Sequence, residues 1–210
     1  MKISAIVPAY NEEGRIDVVL SALIKTDEIG EIIVVDDGST DDTFRIARDY
    51  EVDLISHDCN KGKACALSSG VKEAKYDIFL FLDADLKGIK EKHVRKMVSS
   101  YEKGESDVVI GVFHNGRLNT DLSQKINPYL SGQRILSRDI WERLSKRKAE
   151  EFGVETAMAK LILKEGLKVE KVKLEGVTHV MKEEKRGFGK GLKSRLQMYG
   201  DIIKTVFSRS

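Results

Sequence analysis

Short apolar runs rich in β-branched side chains recur through the first half of the chain: KISAIVP (2–8), EIIVVD (31–36), VDLIS (52–56), DIFLFLD (77–83) and DVVIG (107–111). They are too brief for helices and read as strands. Between them, 12–26, 40–50, 62–74 and 90–103 space their apolar residues three or four apart, as in Ile16, Leu20, Leu23 and Ile24, and predict amphipathic helices. Strands alternating with helices in this way predict a parallel sheet covered on both faces. Ser39, Thr40, Asp41 and Asp42 supply capping side chains for the second helix, whose apolar face opens with Phe44 and Ala47. Beyond 112 the pattern loosens. The stretch 113–131 lacks apolar periodicity and is long for a connection, which marks a candidate functional loop. A short strand or turn at 132–137, helices at 138–146 and 154–165 and a strand at 168–174 follow, and 187–207 is helical in period again.

A chain of 210 residues suits one domain with a substantial core, and no internal repeat or compositional break divides it. Thirty-six basic against 34 acidic residues leave a formal charge of +2, which excludes a general nucleic-acid binder and moves the search for a partner to a local site. Cys59 and Cys65 have no companion histidine at a zinc-finger interval and read as reduced thiols. The apolar run before Pro8 is too short for a signal peptide, and no stretch approaches the roughly 18 apolar residues of a spanning helix. The expectation is a soluble, cytoplasmic protein.

An open α/β sheet binds its ligand beyond the carboxyl ends of its strands. The residues there are Pro8-Ala9-Tyr10-Asn11-Glu12, Asp36-Asp37-Gly38-Ser39, Asn60-Lys61-Gly62-Lys63 and Asp83-Ala84-Asp85, four polar connections on one rim. Asp83 and Asp85, two apart as the chain leaves a strand, point to one side and can converge on a hard cation such as Mg²⁺ or Mn²⁺. Solvated turns also produce such pairs. Here the preceding FLFL marks the strand as central and the pair as its terminus. The first turn, PAYNEEGR, has neither the G-x-G-x-x-G of a dinucleotide site nor the G-x-x-x-x-G-K-[ST] of a P-loop.

VPAYNEE, VVDDGSTDDT, NKGKACAL and FLFLDADL, in this order and at these intervals, resemble the nucleotide-sugar domain of the family-two glycosyltransferases, over about residues 1–112. The resemblance implies the GT-A fold, a Rossmann-like, doubly wound, mostly parallel α/β sheet with helices on both faces. It implies one transferase domain over 1–210, with 1–112 binding the nucleotide sugar, 113–186 forming the acceptor half and 187–210 a basic amphipathic C-terminal helix. By the same resemblance Pro8, Tyr10 and Glu12 form the nucleotide-binding strand end, and Val34 and Asp36 contact base and ribose. Lys63 falls near the nucleotide, although Ala64 stands where the motif has its second glycine, and Asp83 and Asp85 bind the metal with Ala84 facing the ribose. The implied donor is a UDP- or GDP-sugar, with Mg²⁺ or Mn²⁺ stabilising the charge that grows on the leaving diphosphate.

In the acceptor half, Glu155 parallels the family's candidate base, with Glu150 and Glu151 as rivals. Its place at a helix start also suits any glutamate. Gly132 and Arg134 match the family's G-x-R segment; Arg134 either grips a phosphate or carboxylate or serves as a structural arginine on backbone, and Trp141 reads as core. His179 parallels a histidine that completes the metal site in some GT-A enzymes, including retaining glycerate synthases, or is structural; His57, His93 and His114 have less to recommend them. In the tail, Leu192, Leu196, Tyr199, Ile203 and Phe207 share a helical face with Lys193, Arg195 and Lys204 beyond it. That helix either packs on the sheet or lies on the inner face of an anionic membrane. The second reading suits a polyprenyl-phosphate acceptor, although the R-x-x-G-x-S-K spacing of the polyprenyl-phosphate sugar synthases is absent; a glycan or a small hydroxy acid remain alternatives. Inversion at the anomeric carbon is implied by the family, while the glycerate-synthase likeness leaves retention open. A sugar nucleotidyltransferase would need a glycine-rich, arginine-bearing loop where PAYNEEGR stands. A catalytically silent nucleotide-sugar-binding protein would need only the first half, and Glu155 beside an intact D-x-D argues against it.

Overall fold

The computed structural model describes residues 1–113, 127–145 and 153–179. His114, Glu150, Glu151 and the basic tail lie outside the described residues.

The chain runs β1 (Ile3–Ala9), α1 (Ile16–Ile24), β2 (Ile29–Asp36), α2 (Thr43–Arg48), β3 (Asp53–Ser56), α3 (Lys63–Glu73), β4 (Ile78–Phe81), β5 (Leu86–Lys87), α4 (Glu91–Glu102) and β6 (Val108–Phe113). A 3-10 turn (Asn127–Leu130), β7 (Arg134–Ser137), α5 (Arg138–Ser145), α6 (Val154–Glu165), β8 (Val169–Leu174) and β9 (Thr178–His179) follow. Seven strands form one sheet in the order β3-β2-β1-β4-β7-β6-β8, and β5 pairs with β9 apart from it. The pairs β1–β2, β1–β4, β2–β3 and β6–β8 are parallel, whereas β7 runs antiparallel to both β4 and β6. The result is the mostly parallel α/β sheet of the GT-A expectation with one reversed strand. That reversal has a consequence for the site. An antiparallel strand begins where its parallel neighbours end, so Arg134 at the start of β7 sits opposite Phe81 at the end of β4.

Both sheet faces are buried, which is why the strands read as continuous apolar runs. Val7, Leu80 and Val109 pack with Leu20 of α1 and Val94 of α4 on one face. Ile6, Phe79 and Phe81 pack with Leu67 of α3, Trp141 of α5 and Met158 of α6 on the other. The alternation of Ile6 and Val7 between the two clusters follows the strand period. Trp141 is core, its ring 5.1 Å from that of Phe81 and tilted by 53°.

Two local expectations are corrected. Phe44 is 38% exposed and does not open a buried face, because α2 is only six residues long and its buried residues are Thr43 and Ala47. The cap also differs. Asp42, the residue before α2, makes no side-chain cap bond; Asp41 accepts from the Thr43 amide at 3.0 Å. Among the described residues no helix is long and apolar enough to cross a membrane.

Candidate functional site

At the end of β1, Asn11 takes a left-handed backbone (φ 56°), a conformation asparagine tolerates better than most side chains. Its Oδ1 accepts from the Thr40 amide at 2.9 Å, and its own amide donates to Ser39 Oγ at 2.9 Å. The Glu12 amide adds a bond to Thr43 Oγ1 at 2.7 Å, so the loops after β1 and β2 are clasped together. Tyr10 stands 43% exposed on this clasp. Asp36 beside it is buried, and its Oδ1 has no hydrogen-bond partner among the described residues. A buried acceptor left unmet costs stability, and a ligand N–H or O–H would satisfy it.

The adjoining positions divide. Pro8 is half-buried in β1, paired with Val35. The Glu12 carboxylate accepts from Arg15 Nε at 2.6 Å. Val34 and Ala84 are both buried in the core cluster, at 0% and 3% exposure, so a contact with base or ribose at these positions falls to the backbone. Val34 lies two residues inside its strand, beneath Asp36, and Ala84 turns inward between two half-exposed aspartates.

The α3 helix starts at Lys63, and the Lys63 ammonium reaches 2.5 Å from Asp83 Oδ1 and 2.5 Å from Glu155 Oε1. One lysine thus joins the end of β4 to the first turn of α6. Asp83 Oδ2 accepts from Gln133 Nε2 at 2.8 Å, and Gln133, fully buried, accepts in turn from Ser131 Oγ at 2.9 Å. Gly132 makes this approach sterically possible: a Cβ there would lie 2.3 Å from Asp83 Oδ2 and 2.7 Å from Lys63 Nζ. Arg134 makes the backbone bond of its structural reading. It is buried at 1% exposure and donates from Nη2 to the Ser131 carbonyl, while Nη1 has no partner among the described residues.

The electrostatics follow from this packing. Burial disfavours the charge on Lys63, but Asp83 and Glu155 reverse that effect and push its pKa up. Burial likewise opposes ionisation of Glu155; the Lys63 ammonium and the Arg134 guanidinium overcome it and pull its pKa down to about 2. For Arg134, burial lowers the pKa and the two carboxylates only partly compensate.

No group of three or more His, Cys, Asp or Glu side chains that could hold a metal occurs among the described residues. Two aspartates are nevertheless a fitting partial shell for Mg²⁺ or Mn²⁺, which retain water and take phosphate oxygens at their other positions. The Lys63 ammonium on Asp83 Oδ1 is a stand-in cation that marks where positive charge is stabilised. The β5–β9 register sets the His179 backbone opposite Leu86, the residue after Asp85, while the His179 side chain lies outside the described residues.

Three contributors escaped the sequence reading of individual roles. Gln133 lies inside the G-x-R segment, where only the glycine and arginine carried a signal. Asp37 was one of several rim carboxylates, and its partner His57 (Nδ1 to Asp37 Oδ1, 2.7 Å) had nothing in its neighbourhood to mark it. Their pairing arises from β2–β3 register, which no local pattern encodes.

Residues 4–170 match the family model described as Glycosyl transferase family 2. Among curated proteins, the dolichol-phosphate mannosyltransferase of Pyrococcus furiosus is 38% identical over 122 residues, 53% of this chain and 33% of that protein. The 4,4'-diaponeurosporenoate glycosyltransferase of Staphylococcus aureus is 34% identical over 113 residues, 51% of this chain and 30% of that one. The matched segment therefore spans about a third of the length of these relatives. Among solved structures, glucosyl-3-phosphoglycerate synthase from Mycobacterium tuberculosis superposes with a TM-score of 0.72 at 25% identity, covering 99% of this chain and 79% of that one. It has been solved with Mn²⁺, UDP and glucosyl-3-phosphoglycerate. In another crystal it holds Mg²⁺ with UDP, at a TM-score of 0.73.

Proposed function

The chain belongs to glycosyl transferase family 2, and from that premise we propose that it transfers a sugar from a nucleoside-diphosphate sugar to an acceptor, with Mg²⁺ or Mn²⁺ held at Asp83 and Asp85. The observation that carries this reading is the meeting of Asp83, Lys63 and Glu155 at one point beside the rim, where Asp36 Oδ1 waits for a donor. Asp36 accepts from the base or ribose, and Tyr10 offers its exposed ring to the nucleotide. A cation bound at these aspartates would supply Lewis-acid stabilisation of the leaving diphosphate. Asp83, fixed by Gln133, holds its carboxylate in one rotamer for that cation. Lys63 exchanges its contact with Asp83 for the diphosphate oxygens, an ammonium moving from one anion to another. The UDP complexes of the neighbouring synthase support a uridine donor.

Glu155 is ionised at neutral pH and accepts a hydrogen bond from an acceptor hydroxyl. With a pKa of about 2 it is a weak proton acceptor until Lys63 moves away, so donor binding and base activation are linked. Arg134 Nη1, buried and unpartnered among the described residues, supports an anionic group on donor or acceptor. Single displacement with inversion is the primary reading and retention is the second. Asp83→Asn and Asp85→Asn are each expected to abolish metal-dependent donor hydrolysis and transfer, assayed with UDP- and GDP-sugars and MnCl₂. Unchanged turnover would sink the metal assignment, and the anomeric configuration of the product, read by NMR, decides between inversion and retention.

A further inference from the structure

Asp37 and His57 are themselves assigned to neither donor nor acceptor, yet they bind the loop that leads into Lys63. The Asp37 carboxylate, 4% exposed, accepts from His57 Nδ1 at 2.7 Å, from the Lys61 amide at 3.0 Å and from the Gly62 amide at 2.8 Å. Its own amide donates to the Ala9 carbonyl at 2.8 Å, and the His57 amide donates to the Asp36 carbonyl at 2.9 Å. One buried aspartate, through its carboxylate and its own amide, therefore ties together the ends of β1, β2 and β3 and the turn into α3. Gly38 (φ 73°) tightens the same joint, since a Cβ there would lie 2.6 Å from the Cys59 carbonyl carbon. Gly62 is the residue immediately before α3, and Lys63 is the first residue in it. Wherever the Lys61–Gly62 peptides are held, the start of α3 and the Lys63 side chain are held with them.

We propose that Asp37 and His57 are a positioning pair for donor binding: they fix the turn at Lys61 and Gly62 so that the Lys63 ammonium is aimed at the donor diphosphate. This rests on the glycosyltransferase reading above. Burial works against ionisation of Asp37, but the bonds from His57 and the two amides outweigh it and hold its pKa below the usual carboxylate range. An ionised Asp37 puts the imidazole proton on Nδ1. Nε2 then accepts from Ser69 Oγ at 2.9 Å, which stops the ring from turning. The Ser–His–Asp order of these bonds resembles a nucleophilic triad. Ser69 lies inside α3, however, where neighbouring amides are committed to the helix's own bonds and cannot form an oxyanion hole. The arrangement orients a loop and performs no acyl chemistry.

The two ring bonds can be separated experimentally. An asparagine at 57 keeps a donor close to the Nδ1 position, whereas a glutamine reaches the Nε2 position and loses the bond to Asp37. Titration calorimetry with UDP and with GDP, each in the presence of MnCl₂, measures the affinity of wild type, His57→Asn and His57→Gln. His57→Gln is expected to bind about tenfold more weakly than wild type, the loss of one hydrogen bond to a charged group, and His57→Asn to recover most of that loss. Equal affinities in the two variants overturn the pairing. A His57→Gln protein that does not fold, judged by circular dichroism, also overturns it, because the histidine is then needed for the fold and not for aim. If wild type binds neither nucleotide, this proposal and the glycosyltransferase reading both fall; wild-type binding with indifferent variants removes this proposal alone.

Discussion

Gly132 shows how much of the site depends on a missing atom. The G-x-R resemblance marked the position, but nothing in the local sequence says that its hydrogen faces Asp83. The structure supplies the reason: a methyl group there would occupy space 2.3 Å from Asp83 Oδ2 and 2.7 Å from Lys63 Nζ. Asp83 cannot retreat without leaving Gln133 Nε2, and Lys63 cannot retreat without leaving Glu155. Gly132→Ala is therefore expected to displace the carboxylate by about an ångström and to reduce transfer about 100-fold, with the fold retained. Steady-state kinetics beside a thermal melt check this; a variant that turns over like wild type would show that Asp83 does not need its present position. Asp36 marks the opposite case. Its place at a strand end was plain from the sequence, and the structure adds only that one oxygen is buried without a partner among the described residues.

Among the elements, the alternating first half was legible because each strand is buried on both faces and each helix on one, so the periods differ clearly. The β7 strand was not fully legible. Four residues can show that a segment is extended but not which way it runs, since direction depends on what the chain does between strands. What anchors the reversed strand is Arg138, the residue after it. Its guanidinium donates to Asp77 Oδ1 at 2.7 Å and to the carbonyls of Val71, Ala74 and Tyr76 at 3.2, 2.9 and 3.1 Å. It also lies 4.8 Å from the centroid of the Phe79 ring. This one side chain fastens the α3–β4 connection to the β7–α5 junction; its removal takes a donor from the Ala74 and Tyr76 carbonyls and leaves the Val71 carbonyl with the Ala74 amide alone. Arg138→Met should lower stability by about 2 kcal/mol, a fall of about 4–8 °C in Tm for a domain of this size, with an unchanged urea m-value. A melting temperature within a degree of wild type would mean that β7 is held by its strand pairing alone.

At the scale of the whole molecule, the two halves of a chain of balanced charge meet in an ion pair at the candidate site, where Lys63 from the first meets Glu155 from the second. The folded state pulls the Glu155 pKa down to about 2 from its ordinary value of 4.5. A depressed carboxylate contributes stability that is fully present above the unfolded pKa and is lost as pH falls through the folded one. The window is therefore from about pH 4.5 down to about pH 2. Lys63 stays charged throughout, because its own pKa moves upward. Lys63→Met leaves the Glu155 carboxylate facing Asp83 without their shared cation, a cost that is largest when Glu155 is ionised and shrinks as it protonates. The stability gap between wild type and Lys63→Met, measured by urea unfolding, is expected to be widest at pH 7 and to narrow steadily towards pH 3. A gap that does not change with pH would mean that the lysine contributes packing and not charge, and that the two halves are not joined electrostatically at this point.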